Sequence, residues 1–267
     1  MQRRLCLITG ASAGIGAALA RVYAEHGWDL VLTARREERL QALASELQTR
    51  FGTQCMTIQA DLVDPGTPDR IVRHIEAQGR PLDGLVNNAG YGGPHGLVAA
   101  DWRQHADFIQ VMVTAPTHLS RLVLPGMMAR SYGRILNVAS IAGMLPPVRG
   151  QSLYGAAKAF MIEATRAMHL EARGAGIHVT ALCPGLTRTE FHAVAGMQGA
   201  ADGLPGMLWQ GADTVARAGY FACEANAPVR IPGLLNKAAV SIFRVLPRRL
   251  GMALMATATG RWEGRIE

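Results

Sequence analysis

No uninterrupted apolar run in this sequence approaches the roughly 20 residues that a membrane-spanning helix needs, so a spanning segment is not expected. Cysteine is scarce: Cys6, Cys55, Cys183 and Cys223 are scattered with no C-x-x-C spacing, and the eight histidines show no H-E-x-x-H arrangement. Neither disulfides nor a metal site is therefore expected, and the cysteines read as free thiols in a reducing, cytoplasmic setting. The N-terminal MQRRLCLITG lacks the apolar stretch of about 7–15 residues found in a secretory signal and reads as a strand that starts almost at once. Charged residues are 18% of the chain against 49% hydrophobic, too much apolar surface for a disordered polymer. The thirty glycines carry no G-X-Y period, which excludes collagen and implies tight turns. No repeat, low-complexity segment or linker rich in proline or serine divides the 267 residues.

What is present is a basic excess of +7, which raises nucleic acid or anionic membrane as a partner. That excess is uneven. Residues 230–267 hold seven cations against two acids, or +5, and leave only +2 for the rest of the chain. No nucleic-acid motif accompanies it.

Short apolar runs alternate with longer helical patterns. Strands are expected at 5–9, 30–34, 54–60, 82–87, 134–139 and 178–183, with a weaker one at 229–231. Helices are expected at 15–25, 37–50, 68–78, 102–129, 151–173 and 212–222. This alternation predicts an α/β fold, a Rossmann-type doubly wound parallel sheet of about seven strands with helices on both faces. Residues 1–231 form the catalytic domain in this reading, with a glycine-rich substrate lid at 185–211. Residues 232–267 form an apolar and basic tail.

The segment TGASAGIG follows the first strand and opens the first helix. Gly10 suits a sharp turn, Gly14 a close backbone approach to a pyrophosphate, and Gly16 close packing of helix on sheet. Helix-start N–H groups then favour the anion. GASAG also fits the G-x-S-x-G elbow of a Ser12 hydrolase, but that elbow needs an oxyanion loop from an earlier strand, and this strand is the first. A dinucleotide site further needs a ribose-binding residue about 20 positions on. There the chain reads LTARR, with Ala34 in place of a carboxylate and Arg35 and Arg36 able to fork onto a 2′-phosphate. NADP(H) is therefore expected over NAD(H).

Ser140, Tyr154 and Lys158 form a second constellation. Tyr154 and Lys158 lie four apart in YGAAK and share a helix face. A phenol is a weak acid at neutral pH, and a neighbouring ammonium lowers its pKa.

The ordered series TGASAGIG, Asp61-Leu62, NNAG (87–90), NVAS ending at Ser140, YGAAK and PGLTRT (184–189) resembles the short-chain dehydrogenase/reductase family over residues 3–192. The resemblance implies Tyr154 as proton donor or acceptor, Ser140 as hydrogen-bond donor to the substrate oxygen, and Lys158 on the nicotinamide ribose. It implies Asp61 and Leu62 at the adenine, and Asn88, Ala89 and Gly90 along the adenosine ribose. Ser12, Ala13 and Ile15 would line the phosphate turn. Pro184, Gly185, Thr187 and Thr189 would hold the nicotinamide end. It also implies a homodimer or homotetramer joined through the helices at 102–129 and 151–173.

One position departs from the family. Met112 stands where the family usually has an asparagine that holds a water near the lysine, and a thioether donates no hydrogen bond. This keeps open an alternative in which the chain binds NADP(H) as a sensor or scaffold with little turnover. The leading expectation is an NADPH-dependent oxidoreductase. Met144, Leu145, Pro146, Pro147, Val148, Phe191, Met197, Leu204, Met207, Leu208 and Trp209 lie in the loops over the site, so the expected substrate is a lipophilic ketone, aldehyde or secondary alcohol. In the tail, Leu234, Leu235, Ala238, Ile242, Val245 and Leu246 recur near helical spacing among basic residues. This pattern reads as packing on the domain or against another subunit in preference to a peripheral membrane contact.

Overall fold

A computed structural model describes residues 3–94, 96–190 and 205–263, with side chains as far as residue 257. Its strands are β1 (Leu5–Thr9), β2 (Asp29–Ala34), β3 (Cys55–Gln59), β4 (Gly84–Asn87), β5 (Gly133–Val138), β6 (Ile177–Leu182), β7 (Thr187–Arg188), β8 (Gln210–Gly211) and β9 (Val229–Arg230). The helices are α1 (Gly14–Glu25), α2 (Glu37–Phe51), α3 (Thr67–Glu76), α4 (Trp102–Ile109), α5 (Ala115–Ala129), α6 (Tyr154–Glu171), α7 (Ala212–Glu224), α8 (Leu234–Val245) and α9 (Arg248–Glu263).

Seven strands form one parallel sheet in the order β3-β2-β1-β4-β5-β6-β9. Their side chains divide by alternation. Cys6, Ile8, Leu30, Leu32, Leu136 and Leu182 enter one core with α1, α2 and α7. Leu5, Leu7, Val31, Ile135 and Val179 enter another with α3, α5 and the end of α6. Both faces are thus covered, which is why the strands are largely apolar. Strand order reverses between β1 and β4, and a ligand crevice opens beyond the carboxyl ends of strands at such a reversal.

The expected helix over 102–129 is broken. A π-helical turn at Gln110–Thr114 separates α4 from α5. Pro116 has no N–H to give the Met112 carbonyl, so the regular ladder fails there and the backbone widens. β7 and β8 pair with each other outside the main sheet, an element too short to leave a pattern in the sequence. The tail forms α8 and α9, which Pro247 separates. Of the expected lid, 191–204 lies outside the described residues and takes with it Phe191, Met197, Leu204 and the glycines at 196, 199 and 203. Residues 264–267 also lie outside them.

Candidate active site

β1 delivers the glycine turn. Gly10 and Gly14 hold φ of 66° and 55°, a region costly for other residues. A Cβ on Gly16 would drive into Gly10 O and Asn88 Nδ2, so only glycine lets α1 start this close to the sheet. The NNAG segment braces the turn. Asn88 Nδ2 donates to Thr9 O at 2.9 Å and to Gly10 O at 3.2 Å, while Asn88 N and Ala89 N both donate to Thr9 Oγ1 at 3.0 Å. The N-cap of α1 is Ala13, whose side chain can cap nothing, and no acid stands in the first turn. First-turn N–H groups beside a glycine cradle suit a pyrophosphate.

At the end of β2 the cations gather on an acid. Arg36 Nε and Nη2 donate to Ser12 Oγ at 3.3 and 3.2 Å, tying the β2 end to the glycine turn. The Glu190 carboxylate bridges Arg36 at 2.9 Å and Arg39 at 2.6 Å. These two guanidiniums hold its pKa below the usual carboxylate value. An anion is therefore already paired at the place where a 2′-phosphate would be recognised, so the donor set fits NADP(H). Arg35 is exposed, and its carbonyl accepts from Gln59 Nε2 at 3.0 Å. Sequence reasoning singled out Arg35 and Arg36 but missed Arg39, whose position three residues after Arg36 on α2 was the available signal. Asp61 and Leu62 follow β3, with Asp61 Oδ1 accepting from Val63 N at 3.0 Å.

The catalytic candidates meet beyond β5. Ser140 caps a short 3-10 turn, accepting from Ala142 N at 3.1 Å. Gly143 lets that turn lie on the backbone of Lys158 and Ala159, where a Cβ would not fit. Tyr154 begins α6, and Lys158 follows one turn later with its Nζ 5.9 Å from the Tyr154 ring centre. The Ser140 and Tyr154 side chains hydrogen-bond each other. Lys158 Nζ donates to Val138 O at 2.8 Å.

The titration of this group differs from the expectation. Burial pushes the Tyr154 phenol up to about 12, with Ser140 pulling the other way. Burial likewise lowers Lys158 to about 8. Lys158 gives one of its three N–H donors to the end of β5, and burial leaves the Tyr154 phenol above its ordinary value and not below it.

Met112 is buried against Phe108 and Ala157, and a Cβ on Gly90 would come within 2.9 Å of its sulfur. Beside it lies a cavity of about 10 Å³, lined in part by Thr9, Asn87, Pro116, Val138 and Lys158. That is room for about one water. Asn87 Nδ2 reaches Asn137 Oδ1 at 2.8 Å, and Asn137 in turn reaches Thr165 Oγ1 at 2.9 Å. This chain ties β4, β5 and α6 together behind the site. Asn87 Oδ1 is buried and finds no partner among the described residues.

After β6, Ile141 N donates to Pro184 O at 3.0 Å, and Thr189 packs on Gly14. Thr187 is buried and Gly185 lies against Asn236 of α8. Every expected site residue thus lies along one edge of the sheet, around the reversal between β1 and β4. Met144, Leu145, Pro146, Val148, Leu208 and Trp209 are partly exposed above it.

Residues 4–198 match the family described as short chain dehydrogenase. The chain is 36% identical over 195 residues to the NADP-dependent 3-hydroxy acid dehydrogenase of Salmonella typhi, covering 71% of this chain and 75% of that protein. Among solved structures, it superposes on a short-chain dehydrogenase from Sphingobium yanoikuyae in complex with NADPH, with a TM-score of 0.80 at 33% identity over 91% of this chain and 96% of that one. It also superposes on the bulky-bulky ketone specific alcohol dehydrogenase from Comamonas testosteroni, with a TM-score of 0.76 at 28% identity over 93% and 96% of the two chains.

Proposed function

Because the chain belongs to the short-chain dehydrogenase family, as an NADP(H)-dependent oxidoreductase of carbonyl or alcohol substrates, we propose that Ser140, Tyr154 and Lys158 carry its reaction on a lipophilic ketone, aldehyde or secondary alcohol. The observation that carries this assignment is the meeting of the three side chains beyond β5, with Ser140 hydrogen-bonded to Tyr154 and Lys158 one helical turn away.

When bound, NADPH supplies the hydride. The glycine turn and the uncapped start of α1 would hold the pyrophosphate, and Arg35 and Arg36, with Arg39 and Ser12, would hold the 2′-phosphate. Asp61 and Leu62 would border the adenine, and Asn88, Ala89 and Gly90 its ribose. Pro184, Gly185, Thr187 and Thr189 would border the nicotinamide end. Ser140 donates a hydrogen bond to the carbonyl oxygen, where negative charge grows during reduction, and Tyr154 donates its proton to the same oxygen. Lys158 would hold the nicotinamide ribose with the N–H donors that Val138 O leaves free. Tyr154 is protonated at neutral pH and so carries the proton that the reductive direction needs, while burial makes it a weaker acid than a free phenol.

The partly exposed apolar residues above the site favour a lipophilic substrate, as does the likeness to an alcohol dehydrogenase specific for bulky ketones. Exposed Trp102, Met128, Phe160 and Leu170 on α4, α5 and α6 support a homodimer or homotetramer through those helices. The free state of all four cysteines supports a cytoplasmic location. Tyr154→Phe tests the assignment: NADPH consumption with a hydrophobic ketone should fall by at least about 10²-fold, while NADPH binding changes little. Near wild-type turnover by this variant would overturn it.

A further inference from the structure

The sequence pattern of the tail marks a stripe of Leu235, Ala238, Ile242 and Val245 on α8 as an apolar face. The structure turns this stripe outward. Leu234 is 83% exposed, Leu235 51%, Ile242 55% and Val245 82%. The body is met by a different face of the same helix. Asn236 donates to Gln210 Oε1 at 3.1 Å and Phe243 lies against Gly251 of α9, which also touches Pro146. Seen down the helix, Asn236, Ala239, Val240 and Phe243 point inward, while Lys237 and Arg244 line one border of the outward stripe. Exposed Leu250, Met252 and Leu254 continue the apolar surface onto α9, beside Arg248 and Arg249.

We propose that this outer face of α8 and the first part of α9 docks on the surface of an anionic lipid bilayer. The argument is charge complementarity. From residue 231 to residue 262 the sequence holds five cations, Lys237, Arg244, Arg248, Arg249 and Arg261, and no acid. A second copy meeting this face about a two-fold axis would bring like charges together without a counter-charge. Anionic headgroups supply that counter-charge, while lysine and arginine stems reach up from an apolar face lying just below them. A separate exposed apolar set on α4, α5 and α6 is available for subunit contact. No helix among the described residues is long and apolar enough to cross a membrane, so the contact is peripheral.

The face also borders the site. Asn236 lies against Gly185 in the loop after β6, and Gly251 touches Pro146 in the loop after Ser140. Docking sets the rim of the proposed substrate cleft at the lipid surface, where a membrane-dissolved ketone or alcohol is concentrated. This last step rests on the lipophilic substrate class proposed above; the docking itself does not.

Sedimentation of the full chain with vesicles tests the proposal. Phosphatidylcholine vesicles with about one third phosphatidylglycerol should pull down at least about ten times more protein than pure phosphatidylcholine vesicles at 0.1 M salt. Salt at 1 M should release it. A variant carrying Leu235→Glu, Ile242→Glu and Val245→Glu should lose sedimentation, as should one carrying Lys237→Gln, Arg244→Gln, Arg248→Gln and Arg249→Gln. Both should keep NADPH binding and the subunit number measured by light scattering. Equal sedimentation on neutral and anionic vesicles, none on either, or retention by both variants would overturn the proposal. So would loss of subunit association in the triple variant, which would assign the face to a second copy. Reduction of a water-soluble ketone, measured without vesicles, reports on the catalytic assignment separately.

Discussion

Lys158→Met removes a buried ammonium, and the titration of Lys158 makes the consequence calculable. A lysine in the unfolded chain titrates near 10.5, and Lys158 in the fold titrates near 8. Between these values the unfolded chain holds more proton than the folded one, so stability rises with pH across that window and the penalty is fully present below it. The separation corresponds to about 3 kcal/mol. At pH 7 nearly all of this penalty acts on the wild type, whereas at pH 9 about 2 kcal/mol of it remains. Lys158→Met carries no such penalty at any pH, although it loses the hydrogen bond to Val138 O. Cys6, Cys223 and Tyr154 are common to both proteins and cancel in the difference. Cys183 feels the Lys158 ammonium, but burial pushes it up to about 12, and losing that ammonium raises it further, so it stays protonated across pH 7–9 in both proteins. Urea unfolding of ligand-free wild type and variant at pH 7, 8 and 9, followed by tryptophan fluorescence, measures it. Wild type should gain about 1 kcal/mol on the variant between pH 7 and pH 9. A gap that stays constant, or that moves the other way, would refute the buried-ammonium reading.

Other substitutions probe the remaining parts of the site. Glu190→Gln frees Arg36 and Arg39 from two exposed, solvent-screened ion pairs. NADPH should bind roughly 2- to 10-fold more tightly while NADH changes less, as read by nicotinamide fluorescence, and unchanged or weakened NADPH binding would count against Glu190 as a competitor for the phosphate. Gly16→Ala places a Cβ into Gly10 O and Asn88 Nδ2 and should cost about 1–3 kcal/mol in urea unfolding, together with NADPH affinity. Ser140→Ala should lower kcat by roughly 10²-fold with NADPH affinity retained, since one donor to the developing oxyanion is lost.

The sheet was legible because its central strands are buried on both faces and so appear as short, largely apolar runs such as LCLIT. The glycine turn was legible because its steric demands exclude other residues. What escaped the sequence depends on contacts between distant segments. Arg39 gains its meaning from Glu190, which lies 151 residues away. The π turn is a local exception: Pro116, only four residues after Met112, deprives the Met112 carbonyl of its partner, and that proline stood in the sequence inside the expected helix. The tail was readable as helix, but periodicity alone cannot say which face meets the body. Asn236 and Phe243 supply the inner contacts, and the more apolar stripe is left outside. Lys158 was read as an activator of Tyr154, yet one of its donors goes to Val138 O and burial dominates the titration of both groups.

Hydride transfer at this site can be followed atom by atom. NADPH carrying deuterium at the transferable position of the nicotinamide, incubated with the protein and a lipophilic ketone, should yield an alcohol one mass unit heavier, with the label on the carbinol carbon. Tyr154→Phe should bind the labelled cofactor yet form little or no labelled alcohol. Unlabelled alcohol from wild type, label taken up from solvent, or labelled product from the variant at the wild-type rate would contradict the account.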